Sequence, residues 1–299
     1  MHGIRAWIAN AQGWRRWPCR VGLEERMFEH ILVAVDFSPA WQRLQTQPER
    51  LRSLGCNRLT LVHVRGGARD EEEAERDEGA AKQLDEAAAT LQGKGFELDT
   101  VVGTGPVVEE LVRVAQERGA GVILAGAHGH RTLDDLLLGC TAQDLIRGAD
   151  RPVLLAPTDP SVELPAVPVS RLLLATDGSP AAGGAEAVFL ELLRHCDSAV
   201  VVSVGGWVDQ REYAAERQAI EDHVSALAER AGKHDFDAEL LGRGRPSAEI
   251  ARVAQEHDVD LVILGRRGHS LLAERLLGST AEAVCQQARR LTLVVPDNG

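Results

Sequence analysis

A chain of 299 residues, 44% apolar and 26% charged, has the make-up of a water-soluble globular protein long enough for two domains of ordinary size. Its formal net charge of −12 excludes a general attraction to nucleic acid or anionic lipid, and no run reaches the ~18 apolar residues that span a bilayer. Five cysteines, odd in number, far apart and without a CxxC pair, argue against a disulfide framework or zinc site and for a reducing, cytoplasmic setting.

Residues 1–26 stand apart from the rest. They hold three of the five tryptophans and five arginines, with neither helical nor strand period, and read as a disordered N-terminal extension. The folded pattern starts at Met27, with "FEHILVAVDFSPA" giving a first strand that ends near Asp36. His63 in "LTLVHV" reads as a hydrogen-bonded histidine on the second strand. The acidic run "RDEEEAERDE" reads as a solvated helix start, with Glu72 four residues before Arg76. A helix in "VVEELVRVAQER" and a strand in "VILAG" follow, then "GAHGHRTLDDLLLGCT" and a closing apolar "RPVLLAP".

The whole pattern then recurs. "ILVAVDFSPA" aligns with "LLLATDGSPA", and "GAHGHRTLDDLLLGCT" with "GRRGHSLLAERLLGST", at an offset that stays between 139 and 141 residues. The division is therefore an extension (1–26), a first domain (27–157), a linker (158–170) with three prolines, and a second domain (171–299). In the second copy the strands are expected at Leu172–Ala175, Ala199–Val204, Ala238–Leu241, Leu261–Leu264 and Leu291–Val295. A helix should follow Pro246 and a long one should lie between Glu212 and Arg230. Strand–helix alternation predicts an α/β fold: two tandem open, parallel, five-stranded sheets with helices on both faces.

The glycines bear on function. Gly265, Gly268 and Gly278 repeat the spacing of Gly126, Gly129 and Gly139, and each set runs from a strand end to a helix start. Ligands of open α/β sheets bind at the carboxyl ends of strands, and a helix N-terminus is an anion site. Glycine lets backbone approach a phosphate chain without a Cβ in the way. Ser279 or Thr280 is placed as N-cap, and Arg266 and Arg267 are candidate sources of charge. His130 and His269, just after the second glycine, are candidates for phosphate contact; no spacing suits a metal. Asp177 in "TDGSP" either accepts hydrogen bonds from a nucleoside or closes its own turn. Asp36 occupies the matching place in "VDFSP".

On these features both copies, over roughly 28–296, resemble the universal stress protein family. The most specific element is the nucleotide motif G-x2-G-x9-G-S/T, met in full by Gly265, Gly268, Gly278 and Ser279. The resemblance implies a Rossmann-like sheet of the adenine nucleotide alpha hydrolase type, and a pseudo-dimer inside one chain whose last strands, Val153–Ala156 and Leu291–Val295, face each other. Further dimerisation through other copies fits the same family. ATP-binding members imply that Asp177 contacts the nucleoside and Val204 meets adenine through its backbone. They also imply that the glycine loop with Ser279 and Thr280 holds ribose and phosphates, with ATP or another adenine nucleotide as ligand and Mg2+ beside it; Arg266 and His269 join this set as the charge and phosphate-contact candidates named above. In the first copy Asp36, Val64, Gly126, Gly129, His130, Gly139 and Thr141 are in place, but Cys140 stands where a hydroxyl belongs. A thiol is a weak donor, so binding there is expected to be weaker.

Two other functions compete with that of an ATP-binding stress-response regulator acting through a protein partner. One is a scaffold whose glycine loops are structural. The other is an enzyme, at most a slow ATPase: no Walker lysine, HxGH or SGGxDS stretch occurs, and no base is paired with a nucleophile.

Overall fold

The structure is a computed structural model that describes residues 27–65, 71–127, 138–163, 165–205, 214–268, 277–287 and 289–297, with the backbone alone for 71–78. The extension 1–26 and the side chains of the acidic run at 71–78 lie outside the described residues.

The first half runs β1 (His30–Ala34), α1 (Trp41–Leu44), α2 (Gln47–Arg50), a 3-10 turn (Leu51–Leu54) and β2 (Arg58–Arg65). It continues through α3 (Glu71–Gln92), β3 (Glu97–Thr104), α4 (Val107–Arg118), β4 (Val122–Gly126), α5 (Cys140–Gly148) and β5 (Val153–Ala156). The second half repeats it as β6 (Arg171–Ala175), α6 (Gly183–Leu192), β7 (Ser198–Val204), α7 (Ala214–Ala231) and β8 (Asp237–Leu241). It closes with α8 (Pro246–Glu256), β9 (Leu261–Gly265), α9 (Ser279–Gln286) and β10 (Leu291–Val295). The five expected strands of the second copy each fall within a residue of their observed bounds.

The ten strands among the described residues join one sheet, in the order β3-β2-β1-β4-β5-β10-β9-β6-β7-β8. Within each half every pairing is parallel; β5 and β10 pair antiparallel, with Leu154 opposite Leu293. The two expected sheets are thus fused into one mixed sheet through the last strands. The pairing removes what would otherwise be two open, wholly buried-type edges.

Alternation along the strands builds two cores. Ile31 and Val33 face one cluster and Leu32 the other; Leu172 and Leu174 repeat the pattern around Leu173. α3, α6 and α7 cover the first cluster, which contains Leu84, Phe189 and Leu227. α4, α5, α8 and α9 cover the second, with Leu111, Leu145, Val253 and Val284.

The segment between the halves is more than a tether. Its described residues form neither helix nor strand, but Val162 and Val169 are buried and its backbone is held along the α1–α2 region. Arg43 donates to the Val162 carbonyl, Arg50 Nε to the Val167 carbonyl at 3.0 Å, and Val169 N–H to the Arg50 carbonyl at 2.9 Å. Composition marks the absence of periodicity but carries no sign of this docking.

Candidate functional site

The strand order reverses beside β1 in the first half and β6 in the second, because β4 and β9 lie on the opposite side from β2 and β7. At such a switch point the loops leaving the two neighbouring strands diverge and open a crevice. In the second half those loops are Thr176–Ser179 after β6 and the chain after Gly265 at the end of β9.

A cavity of about 260 Å3 occupies this crevice. Its wall includes Asp177, Val204, Gly265, Gly268, Gly278 and Ser279, and Thr280 lies with them. Residues spread over about a hundred positions of the chain therefore converge on one space. Asp177 uses Oδ1 to accept the Ser179 N–H at 3.0 Å, closing its own turn. Its Oδ2 lies against Gly268, where an added Cβ would overlap it outright. A side chain at Gly268 would therefore have to push the Asp177 carboxylate from this position. Gly178 holds φ at +70°, the left-handed region that a tight turn needs here.

The glycine stretch is anchored at both ends. Arg266 N–H donates to the Val295 carbonyl at 2.8 Å, and Gly278 N–H donates to the Arg266 carbonyl at 3.0 Å. The first copy repeats the closing bond, Gly139 N–H to the Ala127 carbonyl at 2.9 Å.

One expectation needs correction. Gly278, not Ser279 or Thr280, is the N-cap of α9, with extended φ/ψ of −63° and 140°; no side chain caps the helix. Ser279 is thus the first helical residue, and the opening N–H groups of α9 have no intrahelical partner. The helix end still faces the cavity. Arg266 belongs to the cavity wall, and its side chain is engaged with the other half of the chain. Its guanidinium bonds Asp297 at 3.0 Å and the carbonyls of Arg147 and Ala149 at 3.1 and 3.3 Å. It thereby caps the C-terminal end of α5 in the other half, where a cation is favoured. Burial pushes its pKa down. Arg267 pairs with Asp297 as well.

The first copy puts its residues in matching places with different surroundings. Gly126 ends β4, Gly139 is the N-cap of α5, and Val64 lies near the end of β2. Asp36 is exposed and accepts the Ser38 N–H at 3.0 Å, as Asp177 does from Ser179. Cys140 and Thr141 are exposed at the start of α5. His63 is hydrogen-bonded as expected, through Nδ1 to the Val35 carbonyl at 2.8 Å, with its ring 4.7 Å from that of Phe37. Gly129, His130 and His269 lie outside the described residues.

Sequence reasoning missed Thr176, Ala182, Pro246 and Ile250, which complete the cavity wall. Thr176 was the findable one, since it directly precedes Asp177. The others arrive from helices by packing and carry no local signal. Among the described residues no three His, Cys, Asp or Glu side chains gather as a metal site, and no helix is long and apolar enough to cross a membrane.

Comparison with known proteins fits this geometry. A universal stress protein from Archaeoglobus fulgidus superposes with a TM-score of 0.71 at 18% identity, covering 90% of this chain and 96% of that one. A second, from Pseudomonas aeruginosa, gives 0.62 at 20% identity over 93% and 96% of the two chains. At these identities the likeness shows the fold. In sequence, the universal stress protein MJ0577 of Methanocaldococcus jannaschii is 24% identical over 153 residues, 43% of this chain and 94% of its own length. The sequence model of the Universal stress protein family matches twice, over residues 27–157 and 168–296. The chain belongs to the universal stress protein family, as a tandem, two-domain member.

Proposed function

We propose that the second half binds an adenine nucleotide, ATP in the first instance, in the crevice between β6 and β9, and that occupancy regulates contacts with a protein partner during stress. The observation that carries this reading is the convergence of Asp177, Val204, the three glycines and Ser279 on one cavity of about 260 Å3. That volume lies near the lower end of ligand pockets and suits the nucleoside part. Adenine then lies beside the backbone at Val204 and ribose beside Asp177. The phosphates leave over Gly268 and Gly278 toward the α9 N-terminus, whose unpaired N–H groups and dipole favour negative charge. Mg2+ would accompany the phosphates, held by them and by water.

In this reading the protein binds and does not catalyse. The fused sheet makes each chain its own pseudo-dimer, and the composition suits the cytoplasm. The first half is the weaker site, because its helix opens with Cys140 and its Asp36 is exposed. For that half a scaffold role is the competing reading.

Identification of any nucleotide released by denaturing the purified protein, followed by calorimetric titration with ATP, ADP and AMP, tests the proposal. Binding of one of them in the micromolar range is the expected result. Absence of heat and of copurified nucleotide at millimolar ligand would leave the scaffold reading standing alone.

A further inference from the structure

Glu186 on α6 is fully buried, at 0% exposure, between the apolar residues Ala185, Val188 and Phe189 of one core. A carboxylate removed from water is costly unless its oxygens are satisfied. Here Oε1 accepts the Thr176 hydroxyl at 2.7 Å and meets His223 Nε2 of α7 at 2.7 Å. Oε2 takes no hydrogen bond among the described residues and faces the Arg230 guanidinium of α7 at 3.9 Å. Thr176 in turn accepts the Gly178 N–H at 3.1 Å, while its own N–H reaches the Val202 carbonyl at 3.1 Å. Asp177 sits between these two bonded residues. A single polar chain therefore runs from α7, through Glu186 and Thr176, into the turn that presents Asp177 to the cavity. The same helix touches the turn directly: a Cβ at Gly178 would lie 3.1 Å from Ile220 Cδ1 and 3.4 Å from the His223 ring.

The turn itself does not need this chain. In the first copy Val35 stands in the place of Thr176, and the turn around Asp36 forms without a buried acid, by the same Asx contact to Ser38. A fold requirement thus fails to account for a buried carboxylate in the second copy alone.

We propose that Thr176, Glu186 and His223 are positioning residues that hold the Asp177 carboxylate in its nucleotide-facing orientation, making the second half the tighter site. The inference rests on the proposed nucleotide function and names what tunes that site. Glu186 acts through Thr176, and Thr176 through the Gly178 N–H. With the chain intact, binding does not have to order the turn, and affinity gains by that preorganisation.

The test is ATP titration of the full chain by calorimetry, with thermal unfolding alongside. Thr176→Val keeps shape and copies Val35 but removes the hydroxyl that joins Glu186 to Gly178. It is expected to weaken ATP binding roughly five- to thirtyfold, the effect of one lost buried hydrogen bond. Thr176→Ser restores the hydroxyl and should bind within about twofold of the parent. A merely structural hydroxyl would lower the melting temperature of Thr176→Val and leave its affinity alone. If Thr176→Val does not fold, the double variant Thr176→Val/Glu186→Gln removes the stranded charge and is expected to show the same weakened binding. A folded Thr176→Val, or the double variant, that binds ATP like the parent overturns the inference while the nucleotide site stands. A parent that binds no adenine nucleotide overturns both.

Discussion

In the first copy the turn after the opening strand is held by a ring contact: Phe37 takes a left-handed φ of +53° and packs on His63, 4.7 Å away. In the second copy the matching residue is Gly178 at φ +70°, and a Thr176–Glu186–His223 chain centred on the buried Glu186 lies behind it. A bulky residue at positive φ carries strain of about 1 kcal/mol or more, which glycine avoids. The copies therefore reach one backbone shape with different residues, a strained phenylalanine beside a histidine ring in one and a relaxed glycine in the other. The fold tolerates either. What differs is the chemistry left facing the crevice, and that chemistry separates a strong candidate site from a weak one.

The sharpest way to break the comparison is at Gly268. Its approach to Asp177 leaves no room for a side chain, so Gly268→Val must displace either the carboxylate or the glycine strand. ATP affinity in the second half should fall by more than roughly a hundredfold, equivalent to about 3 kcal/mol. Calorimetry on the variant decides the matter, and parent-like binding would reduce the glycines to loop punctuation.

Why the sequence predicted so much of the fold, yet only part of the site, has a physical reason. Strands such as Leu261–Gly265 and Leu291–Val295 are buried on both faces, so each announces itself as a short apolar run, and the internal repeat cross-checks every one. The convergence of Asp177 with Gly268 was legible because topology alone brings those strand ends together. The partners of Arg266 are not legible in the sequence, because charge beside glycines says nothing of direction; Asp297, Arg147 and Ala149 are distant in sequence. The docking of Val169 on Arg50 is equally nonlocal. Glu186 did leave a trace, as an acid flanked by Ala185, Ala187, Val188 and Phe189 in the run "AEAVFLEL", but its partners Thr176 and His223 are fixed only by packing.

The opening strands differ at their other end too, and acid should expose it. His30 starts β1, is buried, and contacts Thr60 Oγ1 at 2.8 Å. Burial first, then the charge of Arg58, pushes its pKa down to about 4. Between that value and the unfolded value near 6.5, the unfolded chain holds the extra proton. Stability is therefore fully present above about pH 6.5 and declines as pH falls toward 4, by at most about 3 kcal/mol from this group. In the second copy Arg171 stands there instead, hydrogen-bonded to Asp258 and Asp260, and its own charge does not titrate in this range. Urea unfolding at stepped pH should show the decline in the parent and a shallower one in His30→Gln. Equal slopes in the two proteins would remove His30 from the account.

Ser279 gives a graded test of the better site. As the first residue of α9 it is exposed and supplies both a hydroxyl and a helix-end N–H. Ser279→Ala deletes the hydroxyl and leaves the N–H. A loss of about 1–3 kcal/mol, or roughly five- to a hundredfold in ATP affinity, is expected if the hydroxyl bonds a charged phosphate. An unchanged affinity would mean that the helix backbone alone holds the anion.

The smallest effect is expected at Cys140, and it runs in the opposite direction. Cys140 begins α5 as Ser279 begins α9, behind an N-cap glycine of nearly the same conformation, φ/ψ −59°/141° against −63°/140°. The backbone half of the anion site is thus equivalent in the two copies, and a sulfur in place of an oxygen is the difference at this position. Cys140→Ser should strengthen nucleotide binding in the first half by a fewfold, about 1 kcal/mol or less, because a hydroxyl is the better donor but Asp36 stays exposed. The thiol provides a direct readout in the parent, since Cys140 is exposed while Cys56 and Cys285 are buried, with pKa values pushed up to about 12 by burial. ATP should slow alkylation of Cys140 only at concentrations that saturate the first half. Protection at the concentration that fills the second half would show two sites of equal strength, and the asymmetry between the copies would then lie in the turns and not in the ligand.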